Sequence, residues 1–337
     1  MQISRIAIAG LGSVGRATAQ LLLARRDRYR RLFDLDVRLV AVCGSRSGVH
    51  DEAGLEAEAF DRMEAGLSGP AFIEGSGADV LIEAGPSDFR TGGPGLAYLR
   101  SSLSAGVDSI VISKGALVRD GKALRDLARM SGAALKISGA TAAALPTIDL
   151  LQYNLAGCDV LRIEGILNAT SNYLLDAMMT RGIGLDAALA EAQAGGFAER
   201  DPSNDIEGWD TASKLLILAN FGLECALSMD DLTIEGIQAI TRRDIENWRE
   251  AGLIPRLVGS LVRDGDMVRA GVAVRAYPST DPFAHVTGKN KAIRIETDRM
   301  GEIVATGCGS EPMATAAAAL KDLEHIFQAR ALRSTSI

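Results

Sequence analysis

The sequence predicts an α/β fold: a Rossmann-type, doubly wound parallel sheet followed by a second α+β domain. Three observations carry this. A β-branched strand ends at the turn Gly10-Leu11-Gly12-Ser13-Val14-Gly15, which opens a helical pattern. Apolar runs of strand length then alternate with helical ones as far as residue 138, as βαβ units do. Beyond Pro146 the pattern changes to successive helices and then to closely spaced strands. A chain of 337 residues has a prior of about two domains.

In order, Ile3–Ala9 reads as the first strand and Val14–Arg26 as the first helix, with Leu21, Leu22 and Leu23 inside it. Val37–Val42 and Ala78–Ala84 are the next strands, the latter followed by a Gly/Pro-rich loop (Gly85-Pro86-Ser87, then Gly92-Gly93-Pro94-Gly95). Tyr98–Ala105 reads as helix, Asp108–Ser113 as strand, Ala123–Ser131 as helix and Ala134–Ile137 as strand. Thr147–Asn154 can form a helix and Val160–Leu167 a strand; Asn172–Arg181, Leu185–Ala194 and the apolar run after Asp210 are helical. Four strands follow: Ile254–Val262, Val268–Ala276, Ala292–Thr297 and Glu302–Thr306. Met313–Ala329 closes the chain as a helix with an alanine seam. The expected organisation is a dinucleotide-binding domain over 1–138, a second domain over 139–306, and a tail, 307–337, that packs back on the first.

Composition bounds the partners. A hydrophobic share of 47% with 23% charged residues is that of a globular protein with a sizeable core. A net charge of −7 and only 4% aromatic residues argue against nucleic acid as the main partner. Four scattered cysteines suit a reducing cytoplasm and make no zinc motif, and the three histidines are too dispersed to suggest a metal site. The apolar run Ile6–Ile8 is far too short to span a bilayer, so no membrane association is expected.

In the glycine turn, Gly10 permits the tight turn, Gly12 lets the backbone approach a pyrophosphate and Gly15 lets helix and strand pack closely. The amides around Ser13 and Val14, at the helix N-terminus, would meet the phosphates. NAD binders place an acidic residue at the end of the second strand, but Asp34 and Asp36 precede Val37–Val42 and belong at its other end. The residues leaving that strand, Cys43-Gly44-Ser45-Arg46-Ser47, offer a guanidinium and hydroxyls suited to a 2′-phosphate. NADP(H) is therefore expected in preference to NAD(H). Lys114 stands at the carboxyl end of Asp108–Ser113, where α/β folds place ligands.

The densest polar block is Gly195–Lys214. A carboxylate-rich loop, stiffened by Asp201-Pro202, runs into a buried helix in which Asp210 and Lys214 share a face. Charges gathered beside apolar sequence require partners, and a ligand carrying both an ammonium and a carboxylate would serve.

Several blocks together resemble one family. Gly165-Ile166-Leu167-Asn168-Ala169-Thr170-Ser171-Asn172-Tyr173 is similar to G-I-L-N-G-T-x-N-[YF], and Ala198-Glu199-Arg200-Asp201-Pro202-Ser203-x-Asp205 to A-E-x-D-P-[TS]-x-D. Gly208-x-Asp210-x-Ala212-x-Lys214 follows, and Gly307-Cys308-Gly309-Ser310-Glu311 through Ala316 resembles G-x-G-A-G-x-x-x-T-A. The family is homoserine dehydrogenase, in a length matching its short form without a C-terminal regulatory domain. The resemblance implies NAD(P)-dependent interconversion of L-homoserine and L-aspartate 4-semialdehyde by a homodimer formed through the second domain. It implies Lys214 and Lys114 at the reacting centre, and Glu199, Asp205, Asp210 and Thr170 lining the substrate pocket. Gly85, Ser87, Lys114 and Gly309 would join the glycine turn, Ser45 and Arg46 around the cofactor.

Four places depart from the family pattern. Ile112-Ser113-Lys114-Gly115 replaces T-x-N-K, and Ser138–Pro146 differs from E-x-x-V-x-x-G-x-P, a loop whose carbonyls hold a monovalent cation in some members. That cation is left open here. Ala169 replaces a glycine and Phe197 a common tyrosine, changes that alter pocket shape and polarity. Two alternatives follow: a paralogue acting on another small hydroxy amino acid or hydroxy acid, and a non-catalytic dinucleotide-binding sensor.

Overall fold

The computed structural model describes residues 1–265, 267–307 and 312–334. The chain forms two compact units, Met1–Ala143 with Glu311–Ile337, and Ala144–Ser310.

The first unit opens with β1 (Gln2–Ala9), α1 (Ser13–Ala24), α2 (Arg26–Phe33), β2 (Leu35–Cys43), β3 (Ser47–His50) and β4 (Glu64–Ala65). It continues with α3 (Pro70–Gly75), β5 (Val80–Glu83), α4 (Gly93–Ser104), β6 (Asp108–Val111), α5 (Gly115–Ser131) and β7 (Leu135–Lys136). The strands order as β4-β3-β2-β1-β5-β6-β7. The five strands from β2 to β7 in that order are parallel, and their apolar residues, such as Ile6, Ile8, Leu39 and Ile82, are fully buried. The expected parallel sheet is extended at one edge by antiparallel β3 and β4. A tight turn in which Gly44 N–H donates to the Ser47 carbonyl (2.8 Å) returns the chain at once. A parallel partner would need a crossover of a dozen or more residues. Strand order reverses at β1, leaving a crevice at the carboxyl ends of β1 and β5, the usual ligand position of such sheets.

Two helices begin earlier than the apolar pattern suggests. Gly92, in the left-handed region (φ 84°), caps α4, and Pro94 is tolerated in its first turn. α5 starts directly at Lys114, its cap, rather than at Ala123. The arginine-rich α2 fully buries only Tyr29, with Phe33 partly buried against the core, so its apolar stripe is the narrow set Tyr29, Leu32 and Phe33. Its guanidinium groups are largely matched: Arg28 binds Glu324 through two bonds of 2.8 and 2.9 Å, Arg26 meets Glu56, and Arg30 meets Asp27 and Asp36. This basic cluster is thereby neutralised within the unit rather than left for a polyanion.

The second unit contains α6 (Thr147–Asp149) with a π turn (Leu150–Asn154), β8 (Val160–Ile166), α7 (Ala169–Arg181), α8 (Leu185–Ala194), α9 (Ser203–Ile206) and α10 (Trp209–Gly222). Then come β9 (Leu232–Ile234), α11 (Arg242–Glu250), β10 (Leu253–Asp264), β11 (Met267–Pro278), β12 (Lys291–Thr297) and β13 (Gly301–Gly307). The sheet runs β13-β12-β8-β10-β11-β9, antiparallel except for the β11–β9 pair. α10 lies on one face: a Cβ at Gly259 would stand 3.1 Å from Thr211 Cγ2. On the opposite face the register brings Ser260 beside Glu164, a buried carboxylate met by Arg162, Arg275 and Arg294. The last helix, α12 (Pro312–Ser334), belongs to the first unit. There Leu320, Leu323, Ile326 and Phe327 complete the apolar core beside β1 and β2. Phe327 meets Tyr29 edge-on at 5.7 Å.

Candidate active site

The cofactor side is built at the carboxyl ends of β1, β2, β5 and β6. Gly10 has φ 104°, and a Cβ there would lie 2.4 Å from the Ala84 carbonyl carbon, so only glycine permits this turn beside β5. A Cβ at Gly15 would meet the Gly10 carbonyl oxygen at 1.8 Å, which fixes α1 hard against the turn. Around Gly12, by contrast, a Cβ would meet nothing within 4 Å. The first amides of α1, on Ser13, Val14 and Gly15, have no acceptor inside the helix. A tight turn, an open cradle and uncommitted amides fit a pyrophosphate.

Ser45 and Arg46 form the exposed turn that leaves β2, while Asp36 sits at the other end of that strand, bound to Arg38 (2.7 Å). Arg38 and Arg30 hold the Asp36 carboxyl below its ordinary range despite some burial. Asp34 closes α2 in the left-handed conformation (φ 52°). Neither acid lies at the carboxyl end of β2.

The loops after β5 and β6 are tied together. Glu83, 1% exposed, accepts from Gly85 N–H (2.8 Å) and from the Ser113 hydroxyl (2.6 Å), and Ser87 Oγ accepts from Lys114 N–H (3.0 Å). Burial pushes the Glu83 carboxyl up, and the bonds from Ser113 and Gly85 oppose this. Gly85, Ser87 and Lys114 are thus brought into one cluster. Gly309 lies outside the described residues. In the loop of the family's cation motif, Ser138 stands where a glutamate is usual, and its N–H and hydroxyl both donate to Asp322 (2.9 and 2.7 Å).

The second unit gathers the other polar group. Gly208, at φ 91°, turns the chain from α9 into α10, so that Asp205 faces Asp210. Asp201, at the stiffened turn, accepts from Ser203 N–H (3.1 Å) at the start of α9. Lys214, 8% exposed, pairs with Asp210 one turn back and donates to the Leu167 carbonyl (2.8 Å). Asn168 Nδ2 donates to Asp205 Oδ1 (2.6 Å) and to Asp210 Oδ2 (2.8 Å). Thr170, buried in the first turn of α7, bonds to Asp205 as well. Burial first, then the Asp210 charge, pushes the Asp205 carboxyl up.

Of the residues expected here, Lys214, Asp210, Asp205 and Thr170 come together. Glu199 does not join them: it is exposed, and its carboxylate makes no hydrogen bond or ion pair with a described residue, while its carbonyl accepts from Gln193 (2.9 Å). Asn168 and Glu83 carry no expected role, yet each links two elements. The first had a readable signal, since an asparagine three residues before Ser171 at a helix start is a cap pattern. The second was a lone acid ending an apolar strand.

Two family models cover the chain: residues 10–137 match the NAD-binding domain of homoserine dehydrogenase, and residues 146–323 match homoserine dehydrogenase itself. The chain belongs to the homoserine dehydrogenase family. It is similar to the NAD(+)-dependent homoserine dehydrogenase of Pseudomonas canavaninivorans, 32% identical over 96% of each chain. It is also similar to the homoserine dehydrogenase of Methanocaldococcus jannaschii, 31% identical over 96% of this chain and 98% of that one. A solved homoserine dehydrogenase from Thiobacillus denitrificans superposes with a TM-score of 0.88 at 25% identity, covering 98% of this chain and 75% of that one.

As a homoserine dehydrogenase family member the chain is an oxidoreductase, and its first unit carries the family's NAD-binding domain. Its two departures in the second unit have local explanations. Ala169 takes the first position of α7, where helical backbone accepts a methyl group. Phe197 packs edge-on to Tyr173 at 4.6 Å, with Lys289 Nζ 5.2 Å from its ring centre. Among the described residues no helix is long and apolar enough to cross a membrane.

Proposed function

We propose that this protein interconverts L-homoserine and L-aspartate 4-semialdehyde, with NADP(H) as the preferred cofactor. The observation that carries the reading is the Lys214–Asp210–Asn168–Asp205 cluster. Two carboxylates facing one ammonium leave a single negative charge, which a substrate ammonium would neutralise. Oxidation removes a proton from the hydroxyl and a hydride from the same carbon, and reduction returns both. When bound, the nicotinamide ring accepts or supplies the hydride.

The chain's own residues do the rest. A lysine ammonium has three N–H groups, and those of Lys214 toward Asp210 and Leu167 leave one to donate to the aldehyde oxygen as it gains negative charge. In the other direction the amine takes the hydroxyl proton. Thr170 and the two aspartates orient the amino end of the substrate. Gly10, Gly12, Ser13, Val14 and Gly15 would hold the pyrophosphate, and Gly85, Ser87 and Lys114 would flank the cofactor.

Ser45 and Arg46 support the NADP(H) preference, since a guanidinium at the carboxyl end of β2 suits a 2′-phosphate. NAD(H) is the second reading, favoured by the NAD(+)-dependent relative. Arg46→Ala is expected to lower kcat/KM for NADPH by about tenfold, about 1.4 kcal/mol, and to leave that for NADH unchanged. Equal losses for both cofactors would remove Arg46 from the 2′-phosphate. A homodimer formed through the second unit is proposed from the family resemblance. The free cysteines Cys43, Cys158 and Cys225 suit the cytoplasm.

NADPH oxidation by the purified protein on addition of L-aspartate 4-semialdehyde tests the reading. Turnover of a different carbonyl compound alone would favour a paralogue. Tight NADPH binding without turnover would favour a sensor.

A further inference from the structure

We propose that Asn168 is a positioning residue of the substrate pocket, holding Asp205 and Asp210 together as one paired site for the substrate ammonium. The proposal rests on the reading above, that these carboxylates receive that ammonium.

The orientation of the Asn168 amide is locked. Its Oδ1 accepts from Ser171 N–H (2.8 Å) as the cap of α7, so Nδ2 must point away from the helix, toward the two aspartates. An amide nitrogen carries two N–H groups, one for each carboxylate. Asn168 is 5% exposed, so these bonds are sheltered from water. The carboxylates stand on different elements, Asp205 on α9 and Asp210 on α10, and like charges repel. The charged groups acting on Asp205 from α10 are Asp210 and Lys214, whereas α7 presents the neutral Asn168 and Thr170. Lys214 reaches Asp210 and the Leu167 carbonyl, while Asn168 bonds to both aspartates.

Donation from Asn168 favours the ionised form of both acids. Without it, the burial and the Asp210 charge that raise Asp205 would be opposed less, and the pair would keep a proton to higher pH. A protonated pair no longer attracts an ammonium.

Asn168→Ser retains a capping oxygen and removes both amide donors, while Asn168→Asp retains the cap and adds a third carboxylate. In Asn168→Ser, KM for L-homoserine should rise about tenfold, with KM for the cofactor unchanged. The acid limb of kcat/KM should move to higher pH, and Asn168→Asp should move it further. Carbon-13 titration of the aspartate carboxyls, with Asp205→Asn for assignment, should show Asp205 titrating at higher pH in both variants without substrate. An unchanged acid limb and an unchanged Asp205 titration in Asn168→Ser would overturn the proposal and leave Asn168 as a helix cap only. Should Asn168→Ser fail to fold, Asn168→Thr makes the same comparison, with a capping oxygen and no amide donors. A moved titration in a protein that does not turn over homoserine would refute the substrate reading and not the pairing. Homoserine turnover with an unmoved titration would refute the pairing alone.

Discussion

Lys214→Ala should lower kcat by about 10²–10⁴-fold, the contribution of a positioned general acid–base group. The loss should fall on kcat rather than on cofactor affinity, because the proposed role of Lys214 is proton transfer at the substrate oxygen. Truncation also removes the cation from beside Asp210 and the donor from the Leu167 carbonyl. Breaking a buried pair in this way costs about 3–5 kcal/mol at full burial. The side chains here are 10% and 13% exposed, so stability should fall by somewhat less than that. Unfolding curves must therefore accompany the kinetics. Lys214→Arg separates the two effects: it keeps a positive charge against Asp210 but holds its proton too tightly to transfer it. Restored stability without restored turnover is the expected outcome. Wild-type turnover in either variant would remove Lys214 from the chemistry.

The second large effect contrasts two glycines three positions apart. Gly15→Ala puts a methyl 1.8 Å from the Gly10 carbonyl oxygen, a distance no rotamer can relieve, because both partners are backbone-fixed. The first unit should lose about 1–3 kcal/mol or more, as overpacked sites do, and bind cofactor poorly as a consequence. Gly12→Ala meets nothing within 4 Å, and its backbone (φ −75°, ψ −164°) suits any residue. Its thermal unfolding should match the wild type, while NADPH affinity falls about tenfold, because the methyl takes space left for the pyrophosphate. Fluorescence titration with NADPH beside thermal unfolding separates the two. A Gly12→Ala protein that binds NADPH normally would place the phosphates elsewhere.

Much of this was legible in the residues because its physical signals are local. A glycine turn between strand and helix has few readings, and Asp210 with Lys214 at helical spacing is fixed once α10 exists. The four long strands after residue 252 announced themselves by apolar runs between turn residues. What escaped depends on non-local contacts or on charge. α2 and α11 are short, mostly charged and bury one residue each, Tyr29 and Ile245, so their apolar stripes are only two or three residues long, although Thr241 and Asp244 spell a capping box at the start of α11. Gly93-Pro94-Gly95 reads as loop but forms the first turn of α4, and a Cβ at Gly95 would stand 2.8 Å from Glu83 Oε1. That glycine is explained only by the buried acid beneath it. Asn168 was visible within a motif, but its reach to Asp205 and Asp210 spans 37 and 42 residues, which no pattern along the chain displays.

The most direct measurement follows the transferred hydrogen. NADPH carrying deuterium at the reactive face of its nicotinamide C4 is mixed with the protein and L-aspartate 4-semialdehyde, and the product is examined by NMR and mass spectrometry. The account predicts L-homoserine with one deuterium on the hydroxymethyl carbon per NADPH oxidised, and no such product from Lys214→Ala on the same timescale. Deuterium found in another product, or NADPH consumed without labelled homoserine, would contradict it.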